Sequence, residues 1–346
     1  TCLRKSPFAL RLRNRNQFCC KTFGLRHAHS SPRSDIMEHE AFVYERPMEF
    51  LNEKQLVKIC APMVRYSKLA FRTLVRKYDC DIAFTPMIVS NSFVRSLKAR
   101  DSDFTTNKYD RPLIVQFAAS NAKDFADAAE IVVPYSDGVD LNCGCPQRWA
   151  MQEGYGSCLI SKPDLLADIV SAARRRVQSS EFTVSFKIRI HNDLRKTVDM
   201  AQKVEKTGVS FLTVHGRTPE QRGQPVNYEA IKLLKESVNI PVIANGDIFS
   251  LRDAESVQEK TGVDGVMAAR GILSNPAMYA GYESTPQQCV KEWLDLSLSM
   301  GTSFAIFHHH LIEMLDSTIP KPEKRIFNGL SSASAVIDFL KSNYGL

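Results

Sequence analysis

Thr183–His215 reads TVSFKIRIHNDLRKTVDMAQKVEKTGVSFLTVH. Thr183–Ile190 is apolar and β-branched, Leu194–Thr207 has helical spacing, and Ser210–His215 is apolar again. A strand, a helix and a second strand in this order make the unit from which parallel sheets are built. The same alternation extends both ways. Strands are predicted at Gln55–Met63, Asp81–Met87, Pro112–Ala118 and Gly138–Asn142 before this stretch, and at Ile240–Asn245 and Asp264–Ala268 after it. Helices are predicted near Tyr66–Tyr78, Ala122–Val132, Pro163–Val177, Tyr228–Ser237 and Leu251–Thr261. Eight such strands over residues 55–285 predict an α/β fold, a closed (β/α)8 TIM barrel. A doubly wound open sheet competes, but it usually carries a Gly-rich loop after its first strand, and Ala61–Tyr66 contains no glycine. Beyond residue 285 the pattern turns helical, with helices predicted at Pro286–Met300, Thr302–Ser317 and Pro322–Tyr344, so residues 286–346 read as a helical domain.

Residues 1–36 hold eight of the 45 Lys and Arg but one of the 38 acids, which leaves 37 of each in the rest of the chain. The net charge of +7 therefore belongs to the leader, and any nucleic acid must be held by local basic patches. Residues 1–54 read as a basic leader, non-native or disordered, plus a short lead-in. A mitochondrial transit peptide is the other reading of an Arg-rich, acid-poor start; without it, a cytoplasmic or nuclear location is expected. The nine cysteines include no Cys-x-x-Cys pair, which argues for reduced thiols and against zinc. No apolar run is long enough to span a bilayer.

Polar residues gather at the C-terminal ends of the predicted strands, the face where a barrel places its active site. They are Met63 and Arg65, Gln116, Asn142 and Cys145, Lys187 and Arg189, His215, Asn245 and Asp247, and Arg270. Asn245-Gly246-Asp247 and Ala268-Ala269-Arg270-Gly271 end the last two strands, where barrels commonly hold a phosphate. Lys187 lies mid-strand among apolar residues, and an inward Lys must meet a negative partner or lose its charge. A reduced flavin would supply that partner, and a buried carboxylate is the plainer alternative. An ordinary thiol, with a pKa of about 8.5, is protonated at neutral pH and able to donate a proton. Cys145 therefore reads as an acid or a buried core thiol, and Cys143 is assigned no role. His308-His309-His310 cannot converge on a metal, because consecutive helical residues point about 100° apart.

Taken in order, Cys60-Ala61-Pro62-Met63-Val64, Gln116-Phe117, Asn142-Cys143-Gly144-Cys145-Pro146, Lys187-Ile188-Arg189, His215-Gly216-Arg217, Asn245-Gly246-Asp247 and Ala269-Arg270-Gly271 resemble the tRNA-dihydrouridine synthases. The resemblance covers about residues 55–346 and is nearest to the eukaryotic branch acting on D-loop positions 20a and 20b. It implies an FMN-containing barrel that reduces uridine with NADPH or NADH. Pro62, Met63 and Val64 would lie against the flavin, Gln116 would bond its ring, and Lys187 would face N1. His215, Asn245, Gly246, Asp247, Ala269 and Arg270 would hold ribityl and phosphate. Cys145 would protonate uracil C5 while the reduced flavin gives hydride to C6, with Asn142 orienting the base. Arg65, Lys68 and Arg72 after the first strand, Arg148, Arg189, and Lys321, Lys324 and Arg325 are candidate tRNA contacts. The alternative is an FMN-dependent reductase of free pyrimidines or another small ene substrate, which leaves the helical domain and its basic cluster without a use.

Overall fold

The computed structural model describes residues 44–346, so the basic leader lies outside the described residues. The strands are β1 (Val57–Cys60), β2 (Ile82–Phe84), β3 (Ile88–Val89), β4 (Leu113–Ala118), β5 (Gly138–Cys143), β6 (Thr183–Arg189), β7 (Phe211–His215), β8 (Val242–Asn245) and β9 (Gly265–Ala268). All pair in parallel, in the order β2-β1-β9-β8-β7-β6-β5-β4-β3, and β2 also pairs with β4, which closes the sheet into a barrel. The predicted second strand, Asp81–Met87, forms only over β2, and a further short strand, β3, begins just past its end. β2 pairs with the start of β4 (Ala83 beside Leu113) and β3 with its end (Ile88 beside Phe117), so the two fill one barrel position. Pro86 lies between them and has no N–H to give a ladder.

Inward residues alternate with outward ones along each strand. The lower interior is apolar: Val57, Ile59, Ile82, Phe84, Ile114, Phe211, Ile243 and Met267 pack together. Leu51, from the helix Pro47–Glu53 ahead of β1, joins this cluster and fills the barrel floor. Above it the inward positions turn polar, and these are the residues of the site. Outward residues such as Val139, Leu141 and Cys143 of β5 pack under the surrounding helices.

Those helices lie close to their predicted places, and Asn121, Asn227 and Ser250 cap three of them by accepting the N–H three residues on. Sequence reading missed the helices Ser90–Arg95 and Leu97–Asp103, and the helix Arg148–Gln152 and 3-10 segment Gly156–Ser161 that follow Cys145. The predicted helix Pro322–Tyr344 is two, Lys321–Asn328 and Ala333–Tyr344, parted at Gly329–Ser332. The C-terminal helices pack directly on the barrel. Gln287–Ser299 lies against Leu69–Arg76, the fully buried Trp293 meets Phe71 edge-on, and His310 stacks on Phe71 with ring centroids 4.5 Å apart.

Candidate active site

Strand register builds the site. Gln116 pairs with Asp140, Asp140 with Ser185, Asn142 with Lys187, Arg189 with His215, and His215 with Asn245. These side chains therefore share the inner face of neighbouring strands. Gln116 Nε2 donates to Asp140 Oδ2 at 2.8 Å, and Ser185 Oγ donates to Asp140 Oδ1 at 2.7 Å. Asn142 Nδ2 donates to Gln116 Oε1 at 2.8 Å. Lys187 Nζ donates to Asn245 Oδ1 at 2.8 Å, and Asn245 Nδ2 is anchored on the Met267 carbonyl.

Burial dominates the electrostatics. It pushes the Asp140 carboxyl up to about 6 against the pull of Gln116, Ser185 and Lys187. It also pushes the Lys187 ammonium down to about 8, with Asp140 acting to raise it and Arg189 to lower it. The Lys187 ammonium is hydrogen-bonded to a neutral amide oxygen while Asp140 acts on it through space, which leaves it partly uncompensated and open to an anion. Thr213, its neighbour in register, has a buried hydroxyl without a hydrogen-bond partner among the described residues.

Cys145 sits just past the end of β5, half-buried against Ala118, Ala150 and Tyr155. Asn142 Oδ1 accepts from the backbone N–H groups of Gly144 (3.2 Å) and Cys145 (3.0 Å). Ser157 N–H donates to the Cys145 carbonyl at 2.9 Å, and Arg189 Nε donates to the Gly144 carbonyl at 3.1 Å. The thiol is thus carried on a loop held from three sides.

The ends of β7, β8 and β9 enclose a cavity of about 60 Å³ lined by His215, Arg217, Gly246, Asp247, Arg270 and Gly271. Asp247 accepts from both Arg217 and Arg270, the latter at 2.9 Å. Burial, then Lys187, Arg189, Arg217 and Arg270, depress His215 to about 2, so it is neutral. Arg217 Nη1 lies 3.2 Å from His215 Nε2 and can only donate, which leaves the ring proton on Nδ1. With His215 neutral, two guanidiniums and one carboxylate leave a net positive lining. Gly246 has φ 122°, and a Cβ there would meet the His215 ring at 3.0 Å. A dianionic phosphate fits this cradle in size and sign.

A model of the dihydrouridine synthase family (Dus) matches residues 59–328. The chain belongs to the dihydrouridine synthase family. A mouse protein called tRNA-dihydrouridine(20a/20b) synthase [NAD(P)+]-like is 61% identical over 86% of this chain and 92% of its own length. A human protein of the same description is 61% identical over 87% and 95%. The Schizosaccharomyces pombe tRNA-dihydrouridine(20a/20b) synthase [NAD(P)+] is 45% identical over 84% and 89%.

In this dihydrouridine synthase most predicted site residues converge, and some take other roles. Pro62 and Met63 are half-buried, and Met63 packs against the barrel interior, whereas Val64 is 56% exposed. Gln116 spends its oxygen and one N–H on protein partners, so one N–H remains for a ligand. The Asp247 carboxylate orients two arginines; as an anion it cannot itself hold a phosphate. Arg189 is no free phosphate contact: besides Gly144 it binds the carbonyls of Thr218 and Gln221. Arg72 is a correction too. It is 1% exposed and forms an ion pair with the buried Asp110, because an Arg on an amphipathic helix is as able to face a buried acid as solvent. Lys68 reaches the Ser102 carbonyl. Arg65 lines a second cavity, of about 160 Å³, with Tyr66, Ala305, Ile306 and His309. Arg148, Lys321 and Arg325 are exposed, while Lys324 is paired with Asp316 at 2.7 Å. Cys143 faces the outer core. His308 bonds the Phe327 carbonyl and His310 the Tyr66 carbonyl, so these two are structural, while His309 is exposed.

Sequence reading missed Asp140, Ser185 and Arg217. Asp140 and Ser185 each stand two residues before a residue it did select, Asn142 and Lys187, and that period-two spacing was the available signal.

Proposed function

We propose that this chain reduces the C5=C6 bond of uridine in the tRNA D-loop, at positions 20a and 20b, with FMN as its cofactor. It is a tRNA-dihydrouridine synthase that draws its electrons from NAD(P)H. The observation that supports the reading best is the placing of one thiol, one partly uncompensated ammonium and one positive phosphate-sized cradle around a single barrel mouth.

FMN, when bound, supplies the hydride that goes to C6. The protein's own residues do the rest. Arg217, Arg270 and the turn at Gly246 hold the phosphate, and neutral His215 offers Nδ1–H as a donor. Lys187 holds positive charge where the ring becomes electron-rich on reduction. Gln116 offers its remaining N–H to a ring acceptor. Cys145 gives its proton to C5, and Asn142 holds the loop that carries it. The target base must leave its stack to reach this mouth, and Arg65, Arg148, Lys321 and Arg325 are free to meet phosphates.

The test is Cys145→Ala with NADPH and tRNA lacking dihydrouridine. The variant is expected to keep FMN and its reduction by NADPH within about twofold, while uridine reduction falls by about 10²-fold or more. Full turnover by the variant removes Cys145 as the acid. A wild-type protein that binds no flavin, or leaves 20a and 20b unmodified, removes the reading itself.

A further inference from the structure

We propose that Asp140 is a positioning residue for Cys145, its carboxylate fixing the direction of a hydrogen-bond chain that ends on the Cys145 backbone N–H. The catalytic consequence rests on the reading above; the chain itself does not.

Asp140 and Ser185 are fully buried, and Gln116 is 1% exposed, so water does not substitute for a missing partner. An ionised carboxylate only accepts hydrogen bonds. Gln116 must therefore turn its NH2 toward Asp140 and its oxygen toward Asn142. Asn142 must then donate through Nδ2, which leaves Oδ1 to face Gly144 and Cys145. The far end imposes the same order, because backbone N–H groups only donate. Reversing Gln116 sets oxygen against the Asp140 carboxylate, and reversing Asn142 sets its NH2 against the two backbone N–H groups. The whole run from β4 through β5 to the loop thus has one permitted direction, and it requires an acceptor at position 140.

Other groups near Asp140 do not replace it. Ser185 already donates to its second oxygen, Lys187 stands opposite Asn142 and acts on Asp140 only through space, and Cys143 points outward from the same strand. Nor does the chain depend on charge alone. An amide oxygen at 140 accepts from Gln116 as a carboxylate does, with the amide nitrogen turned to the Ser185 hydroxyl. Asp140→Ala, by contrast, leaves the Gln116 NH2 unpaired in a dry interior, where it either stays unsatisfied or turns and disturbs Asn142.

The experiment compares wild type, Asp140→Ala and Asp140→Asn in the purified full chain. Amide hydrogen exchange is read over residues 142–149, and steady-state turnover is read on tRNA. Asp140→Ala is expected to exchange there about tenfold faster and to lose about tenfold in kcat, with KM for tRNA and NADPH-driven flavin reduction within about threefold. Asp140→Asn is expected to restore wild-type exchange and at least about a third of kcat. If Asp140→Ala does not fold, Gln116→Leu cuts the same chain one link on and is expected to give the same exchange signature. Unchanged exchange in the alanine and leucine variants, or an Asn variant as damaged as the Ala variant, overturns the proposal. If wild type modifies no tRNA, the functional reading fails and the exchange arm still decides the chain.

Discussion

Lys187 shows at the scale of one side chain how the site trades stability for chemistry. Burial holds its ammonium near 8 instead of the ordinary 10.5. The folded state thus binds fewer protons than the unfolded chain between those values. The cost is full below about pH 8, shrinks as pH rises, and vanishes above 10.5. A shift of that size is worth roughly 3 kcal/mol at most. Lys187→Met, similar in length but uncharged, is expected to melt several degrees higher than wild type in flavin-free protein at pH 7. The advantage should narrow between pH 8 and 10.5, which a thermal melt series across that range checks. The same variant is expected to slow flavin reduction by about tenfold or more, because the ammonium that would stabilise the reduced ring is gone. Equal melting curves at all pH values would mean that the ammonium is well solvated after all. Lys187 was legible in the sequence because a charge inside TVSFKIRI breaks an apolar run. Asp140 and Ser185 were legible only as inward positions, two residues before Asn142 and Lys187. Their meaning depends on which residues lie opposite, Gln116 beside Asp140 and Asp140 beside Ser185, and register between strands far apart in sequence is not written in either strand alone.

At the scale of elements, the loop from Cys143 to Ser161 is where function departs from regular structure. The alternation of strand and helix was plain in the sequence because period two and period 3.6 are different signals. It failed where elements are short: Arg148–Gln152 and Gly156–Ser161 span too few residues to show a period, yet they hold the thiol in place. Gly156 is the tightest point. Its φ is 70°, and a Cβ there would lie 2.5 Å from the Cys145 carbonyl oxygen and 3.0 Å from the Cys145 Cβ. Gly156→Ala must move the 3-10 segment away from Cys145, and it meets the left-handed penalty of about 1 kcal/mol as well. The expected result is a drop of a few degrees in melting temperature, a kcat on tRNA reduced about tenfold, and flavin reduction by NADPH unchanged. Parallel loss of both half-reactions would show that the strain spreads beyond the thiol loop.

At the scale of the molecule, the chain beyond residue 36 has 37 basic and 37 acidic residues, so it must grip a polyanion through local geometry and not net charge. Sequence alone overcounted the grip. Arg72 and Lys324 are already paired with acids, and Arg189 with carbonyls, and none of those partners adjoins it in sequence. Lys321 and Arg325 remain exposed on the helix Lys321–Asn328, while Trp293 and His310 tie the helical region to Phe71 of the barrel. That buried aromatic contact fixes the helical region on the barrel that carries the site. Each exposed cation that meets a phosphate adds about one unit to the salt dependence of binding. The double variant Lys321→Ala/Arg325→Ala is therefore expected to lower the log–log salt slope of tRNA affinity by about 2 and to raise KM for tRNA by about tenfold at low salt. Turnover at saturating tRNA and flavin reduction by NADPH should not change. Lys324→Ala serves as the control: its ammonium belongs to Asp316, so the slope should move by well under one unit. A double variant with the wild-type slope would place the tRNA on another face, with Arg65 and Arg148 the next to be tested.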